Sequence, residues 1–389
     1  MHSLWAPKVI HIMENPFKAI ANLFQKSGES VLGIDIGSSS IKVVQLRKRS
    51  GQAILETYGE LALGPYAGFE IGRATHLAAD KLSEALNDLL RESNTTTKNC
   101  GIAIPLTSSL VSLIEMPSVP SSQLAQMIPL EARKYIPVPV SEITLDWWVI
   151  PPDESKNSAV VTQPVSGVPV LPVTTKTDVL VVAIHNEAIN KYQDIVRRTA
   201  VQSSFFEIEI FSTMRATLDE ENATVMIFDL GAASTKLYIV DRGIVRTSHT
   251  VNRGSQDITL AMSRALNIPI AEAETIKRNF GLNYKQEGIN VPQVMSASLN
   301  FIFSEANRVL LNFERRFNKP ISSVILTGGG VNLKGFYEMA QASFQTPVIV
   351  ANPFGKLQSP AFLEPVLKSA GPEFAVAIGI ALRRLQEVS

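Results

Sequence analysis

Two segments of this 389-residue chain hold residues whose types and spacing suit them for chemistry. Val31 to Leu46 reads VLGIDIGSSSIKVVQL, and Val225 to Val240 reads VMIFDLGAASTKLYIV. In both, an apolar run leads to Asp, an aliphatic residue, Gly, two small residues, Ser, one further residue and Lys, and a second apolar run follows. Asp35 thus matches Asp229, Gly37 matches Gly231, Ser40 matches Ser234, and Lys42 matches Lys236. Gly lets a backbone approach a ligand closely, and successive N–H groups in a tight turn converge on an anion. Ser38, Ser39 and Ser40 add hydroxyl donors, whereas Ala232 and Ala233 leave mainly backbone donors beside Ser234. An acidic residue next to such a turn repels phosphate unless a divalent cation lies between them. Mg²⁺ keeps several of its waters, so Asp35 and Asp229 suit a water-mediated hold on an ion that bridges phosphate oxygens. A single such hairpin is more often an ordinary polar turn. Two with equal spacing, followed by Gly328-Gly329-Gly330 where an apolar strand meets a helix, favour a ligand lying flat on backbone. No G-x-x-x-x-G-K-[ST] string occurs, so the phosphate chemistry is not that of a P-loop.

The elements that must position these residues follow from the repeat. Apolar runs on both sides of a small-residue turn predict a strand, turn, strand hairpin in each copy, and hence two similar halves. Between the copies, Leu77 to Leu90 has helical periodicity and Cys100 to Pro105 begins a new strand. Gln123 to Tyr135 predicts a helix stopped by Pro137 and Pro139, followed by a strand over Thr144 to Ile150. Pro151 to Thr177 is rich in Pro, Ser, Thr and Val and predicts a flexible loop, and a strand (Asp178 to Ile184) and a helix (Glu187 to Thr199) come next. These elements mark residues 98–204 as an inserted αβ subdomain. After the second copy, helices are expected over Ser255 to Leu266, Ile270 to Asn279, Ser296 to Phe317 and Leu333 to Phe344, with a strand at Ser323 to Thr327. A closing apolar helix, Pro372 to Gln386, turns basic at Arg383 and Arg384, where cations complement the helix dipole.

Composition sets limits on function. At about 150 residues per domain the length predicts two or three units, and 45% apolar residues supply a packed core. Lys plus Arg and Asp plus Glu are 36 each, so no net field attracts nucleic acid or anionic lipid. Cys100 is the only cysteine, which excludes an intrachain disulfide and points to a reducing compartment, the cytoplasm. The longest apolar run, Phe374 to Leu382, is nine residues, short of the roughly 20 a membrane span needs. Near the start, Phe17, Ile20, Ala21 and Phe24 recur at helical spacing and predict a short amphipathic helix. The five histidines show no metal-ligand spacing.

The two Asp-x-Gly hairpins and the Thr-Gly-Gly-Gly segment, in this order, resemble the phosphate-one, phosphate-two and adenosine motifs of the actin-like ATPase superfamily. Asn252 to Thr259 (NRGSQDIT) and Ala271 to Lys277 (AEAETIK) are similar to segments of its FtsA-like branch, in which the last Glu and Lys lie beside ribose and adenine. Pro129 to Pro137 (PLEARKYIP), Glu207 to Phe211 (EIEIF) and Ala377 to Arg383 (AIGIALR) resemble the PilM family of type IV pilus assembly. The resemblance implies an α/β actin-like fold: two similar halves around a nucleotide cleft, with an FtsA/PilM-type insertion. The implied boundaries are an extension at 1–29, a first half from 30–97 and 205–222, the insertion at 98–204, a second half at 223–371 with an adenine-side part near 252–318, and a returning helix at 372–389. It implies ATP and Mg²⁺ as ligands, held by Asp35, Gly37, Ser38, Ser39, Ser40, Lys42, Asp229, Gly231, Ala232, Ala233, Ser234, Gly254, Glu274, Lys277, Gly328, Gly329, Gly330 and Asn332, with Asp35 and Asp229 on the ion through water. Glu209 falls where the superfamily carries an acid near the γ-phosphate. From the residues alone it is equally a helix N-terminal carboxylate, and Lys42 and Lys236 read slightly better as solvated strand residues. Hydrolysis is expected to be slow at most, because Ala232 and Ala233 carry no group to polarise phosphate or water. The implied partner is a PilN-like bitopic membrane protein, whose N-terminal cytoplasmic tail would recruit a cytoplasmic protein to the inner membrane. Leu106, Val111 and Leu113 are candidate walls for that tail, although core packing is the stronger reading of each. A homo-oligomer is compatible with the resemblance. Two alternatives stay open: an FtsA-like division protein, which would carry a C-terminal membrane helix, and an actin-fold sugar kinase.

Overall fold

A computed structural model describes residues 29–136, 138–151, 176–219, 223–285 and 287–387. The expected N-terminal amphipathic helix and nearly all of the expected loop at 151–177 lie outside the described residues. Strands β1 (Ser30–Ile36), β2 (Ser40–Arg49) and β3 (Gln52–Ala62) form an antiparallel meander, followed by helix α1 (Ala79–Glu92) and then β4 (Asn99–Ile104), parallel to β1. β5 (Ser109–Pro117), α2 (Ser121–Ala132), β6 (Ile143–Val149), β7 (Lys176–His185) and α3 (Asn186–Arg198) come next, and β8 (Gln202–Ile208) returns parallel to β4. Helix α4 (Glu209–Thr217) leads into the second half. There β9 (Thr224–Leu230), β10 (Thr235–Asp241) and β11 (Ile244–Val251) repeat the meander, and α5 (Ser255–Leu266), α6 (Ile270–Phe280) and α7 (Val291–Phe317) follow. The half ends with β12 (Ser323–Thr327), α8 (Phe336–Ser343) and β13 (Val348–Val350), and α9 (Glu364–Ala370) and α10 (Ala375–Glu387) close the chain.

The sheets run β3-β2-β1-β4-β8 and β11-β10-β9-β12-β13, one strand order used twice. The internal repeat is therefore a repeat of architecture. Its central strands are buried nearly throughout, which is why they read as continuous apolar runs. The meanders even share a turn: Ser50-Gly51 and Arg242-Gly243 both place two successive residues at positive φ, the geometry a two-residue hairpin needs to follow strand twist.

The boundary expected for the insertion changes. β4 and β8 belong to the first half's sheet, and Ile189, Tyr192 and Ile195 of α3 pack into the first half's core. The inserted sheet proper is β5-β7-β6, covered by Leu124, Ile128 and Ala132 of α2. It also touches the second half, where Arg246 Nη1 lies 3.2 Å from Asp178 Oδ2 and the Ser248 hydroxyl donates to the Val111 carbonyl at 3.3 Å.

Helix α10 packs against β1, β2, β4 and α4, as expected of a helix returning to the first half. Contact is close enough that a Cβ on Gly379 would lie 1.9 Å from the Ser212 carbonyl oxygen. One 18-residue window within residues 361–387 is apolar enough by composition to span a membrane, yet 61% of that window is buried in the protein, with Ala377, Ile378 and Ala381 in the core. Arg383, expected to serve the helix dipole, turns inward and is 2% exposed. It reaches Glu207 at 2.9 Å, and Arg215 grips the same carboxylate through two bonds of 2.8 Å.

Candidate functional site

The site lies between the two halves, at the ends of both hairpins. In each turn the Gly N–H closes on the Ser carbonyl three positions along the motif, Gly37 to Ser40 and Gly231 to Ser234, both at 3.0 Å. Strand register sets Asp35 directly opposite Lys42 and Asp229 directly opposite Lys236. The turns face a cavity of about 330 Å³, whose walls include Ser38, Ser39, Ala232, Ala233, Glu209, Glu274 and Lys277. Of the residues expected from sequence, all line it except Gly254. Gly254 opens α5 against the second turn: a Cβ there would sit 2.4 Å from the Ala232 carbonyl oxygen, and the N–H groups of Ser255 and Gln256 donate to Gly231 and Ala232 at 2.9 and 3.0 Å. Its role is to seat the turn on the helix.

The two lysines are not solvated strand residues. Lys42 Nζ donates to the Ser40 hydroxyl at 2.7 Å and pairs with Glu60 at 3.1 Å. Lys236 Nζ lies 3.0 Å from Glu209 Oε2 and 3.5 Å from Asp229 Oδ2. Burial alone would lower the Lys236 ammonium, but Asp229 and Glu209 outweigh it and hold the group well above its ordinary range. Burial pushes the Asp35 carboxyl up to about 6; Lys42 opposes this and Glu209 adds to it. Glu209 is the first residue of α4, as a helix N-terminal carboxylate should be, and it also reaches the cleft. Its Oε1 accepts the Leu106 N–H at 2.7 Å.

On the opposite wall, Gly328 takes φ of +85°, and a Cβ there would meet Asp229 Oδ1 at 2.3 Å. The Gly328 N–H and Thr327 hydroxyl both donate to the Pro372 carbonyl, at 2.8 and 2.9 Å, fixing the glycine run below α10. Glu274 accepts from the Thr259 hydroxyl, Lys277 and Arg278, each at 2.7 Å. Across the cleft mouth, the Ala74 N–H after β3 donates to the Gln256 side chain of α5 at 2.6 Å.

Sequence reasoning missed Glu60, Thr213, Arg278 and Glu373, which also line the cleft. Glu60 was accessible in principle, since it pairs with Lys42 in strand register. Glu373 comes from the turn before α10 and had no local signal. Among the described residues no three carboxylate, imidazole or thiol groups converge as a direct metal site. Behind the turns a second cavity of about 640 Å³ is enclosed by the first half, α3, the β4–β5 connection and the second turn. Thr107, His185, Ala188, Lys191 and Tyr192 line it, and it shares Ser38, Glu209 and Lys236 with the cleft. Leu106 and Val111, expected as core or as groove wall, are core residues.

A sequence profile described as type IV pilus assembly protein PilM matches residues 33–385. The chain belongs to the PilM family. The solved PilM-PilN type IV pilus biogenesis complex has the same fold: TM-score 0.73, 22% identity, 91% of this chain and 98% of that one. Ethanolamine utilization protein EutJ from Carboxydothermus hydrogenoformans aligns with TM-score 0.51 and 14% identity over 95% of this chain and 99% of its own. The fold is therefore the actin-like one. Cell division protein FtsA from Neisseria meningitidis is 24% identical over 82% of each chain, and FtsA from Pseudomonas aeruginosa 21% identical over 94% of this chain and 91% of its own.

Proposed function

We propose that this PilM-family protein binds ATP with Mg²⁺ between its halves and docks the N-terminal cytoplasmic tail of a PilN-like bitopic membrane protein, which recruits it from the cytoplasm to the inner-membrane platform of a type IV pilus. The observation that carries the nucleotide reading is the pair of equivalent turns lining, with Asp35 and Asp229 beside them, one cleft whose far wall is Gly328 to Gly330. Turns of this kind cradle phosphate, and a backbone wall without side chains admits a flat base. The FtsA likeness, at 24% identity, supports the shared nucleotide fold more than a shared division role.

Within the cleft, Ser38, Ser39, Ser40 and Ser234 would donate hydroxyls to phosphate while the turn N–H groups hold it from below. Mg²⁺ would be held by Asp35 and Asp229 through its waters and would supply positive charge against the phosphates. Both oxygens of Glu209 are already engaged, by the Leu106 N–H and by Lys236. Ala232 and Ala233 beside it carry no group to polarise phosphate or water, which supports slow hydrolysis and a role for ATP as a ligand that sets the angle between the halves.

The tail is assigned to the second cavity, between the first half and the inserted segment. Fluorescence anisotropy with the labelled tail peptide tests this, using the whole protein and an Ala188→Trp variant that fills the cavity. Ordering a flexible tail costs entropy, so affinity should be roughly micromolar, with at least a tenfold loss in the variant. Equal binding by both would take the cavity out of the account.

A further inference from the structure

The two hairpins are equivalent in backbone and unequal in how their lysines are used. In the first, the Lys42 ammonium turns away to Glu60 and the Ser40 hydroxyl. In the second, the Lys236 ammonium stays at the centre of the cleft floor, 3.0 Å from Glu209 of the first half and 3.5 Å from Asp229 of its own. It also lies under the second phosphate turn, 3.8 Å from where a Cβ on Gly231 would be, whereas the corresponding position at Gly37 meets only the Ser40 carbonyl. Lys236 therefore occupies the space where a hydrated cation would meet Asp229 and Glu209, within reach of an anion seated on the Gly231 turn.

We infer that Lys236 is the built-in counter-ion of Asp229 and Glu209: it disfavours a divalent cation on these carboxylates until a triphosphate draws the ammonium onto its own oxygens. An ammonium that already neutralises these carboxylates weakens their pull on a divalent ion and repels that ion through a partly buried medium. Once a phosphate accepts the lysine, Asp229 is released and the ion enters with the nucleotide. Metal and nucleotide then bind as a pair, and metal alone binds poorly. The same exchange breaks the ion pair between α4 and β10, which ties the two halves together across the cleft floor.

The triphosphate step rests on the proposed nucleotide reading; the exclusion of metal does not. The test uses the full-length protein stripped of nucleotide, with Mn²⁺ alone as probe, and counts free Mn²⁺ by electron paramagnetic resonance. Lys236→Met removes the charge at similar length, and Lys236→Gln does so while keeping a polar end, so that one folded variant suffices; melting curves establish which are folded. The expected result is Mn²⁺ affinity higher by on the order of tenfold in the variants than in the unaltered protein. Equal or weaker Mn²⁺ binding by the folded variants overturns the inference. A separate calorimetric titration with ATP, run on all three proteins, isolates the other reading. Absence of ATP binding throughout would count against the nucleotide reading alone and leave the Mn²⁺ comparison standing.

Discussion

Glu207→Gln removes the carboxylate that two buried guanidinium groups share. Glu207 is fully buried at the end of β8, Arg215 lies on α4 and Arg383 on α10, so this cluster fastens the C-terminal helix beneath the nucleotide cleft. The Ser212 hydroxyl adds a bond of 2.6 Å, and the Arg383 guanidinium sits 4.1 Å from the Phe205 ring centroid. Burial alone would raise the Glu207 carboxyl above its ordinary 4.5, but Arg215 and then Arg383 outweigh it and hold it at about 2. At about 1.36 kcal/mol per pH unit that difference corresponds to roughly 3 kcal/mol of stability at neutral pH. Taking one partner from a buried pair costs about 3–5 kcal/mol, so the two estimates agree. Between pH 4.5 and about 2 the unfolded chain binds a proton that the folded one does not, so this contribution is complete above pH 4.5 and fades as pH falls towards 2. Urea unfolding at pH 7 should show the variant less stable by about 3–5 kcal/mol, and its melting temperature should fall by roughly 4–6 °C. The acid loss of stability should also be shallower in the variant. Combining Glu207→Gln with Arg383→Met should cost less than the sum of the two changes. A cost below about 1 kcal/mol, with an unaltered acid profile, would refute the reasoning.

Gly328→Ala should destabilise the second half by about 1–3 kcal/mol and weaken ATP binding, since a Cβ at φ +85° would strike Asp229; calorimetric melting with and without ATP reads both effects. Asp35→Ala and Asp229→Ala should each weaken Mg²⁺-ATP binding about tenfold to a hundredfold, as loss of a group acting through the ion's waters does, and unchanged affinity in both would place the site elsewhere. Turnover in a coupled phosphate-release assay should lie well below the typical enzyme median of about 10 s⁻¹, and a value near it would contradict the reading of ATP as a conformational ligand.

The fold was legible where the signal was local or repeated. Both hairpins form where the apolar runs and small-residue turns predict them, and helix α5 spans Ser255–Leu266 as its periodicity requires. What escaped depended on contacts far apart in sequence. β4 looked like the start of an insertion because an apolar run does not announce its partners, and its pairing with β1 joins residues almost seventy positions away. Helix α8 starts at Phe336, later than its periodicity suggests, because Gly335 at φ +85° interrupts the backbone before it. In the site, the turns and the glycine run were readable from residue type. Lys42 and Lys236 were not, because strand alternation says which face a lysine takes and nothing about what covers that face. Arg383 looked like a dipole partner for the same reason: Glu207 lies 176 positions earlier.

The central claim, ATP with Mg²⁺ held between the paired turns, is tested most directly by isothermal titration of nucleotide-free protein with Mg²⁺-ATP, alongside Asp229→Ala. The account predicts one saturable site in the unaltered protein and at least tenfold weaker binding in the variant. No heat and no thermal shift at millimolar ATP, in protein verified free of bound nucleotide, would contradict it.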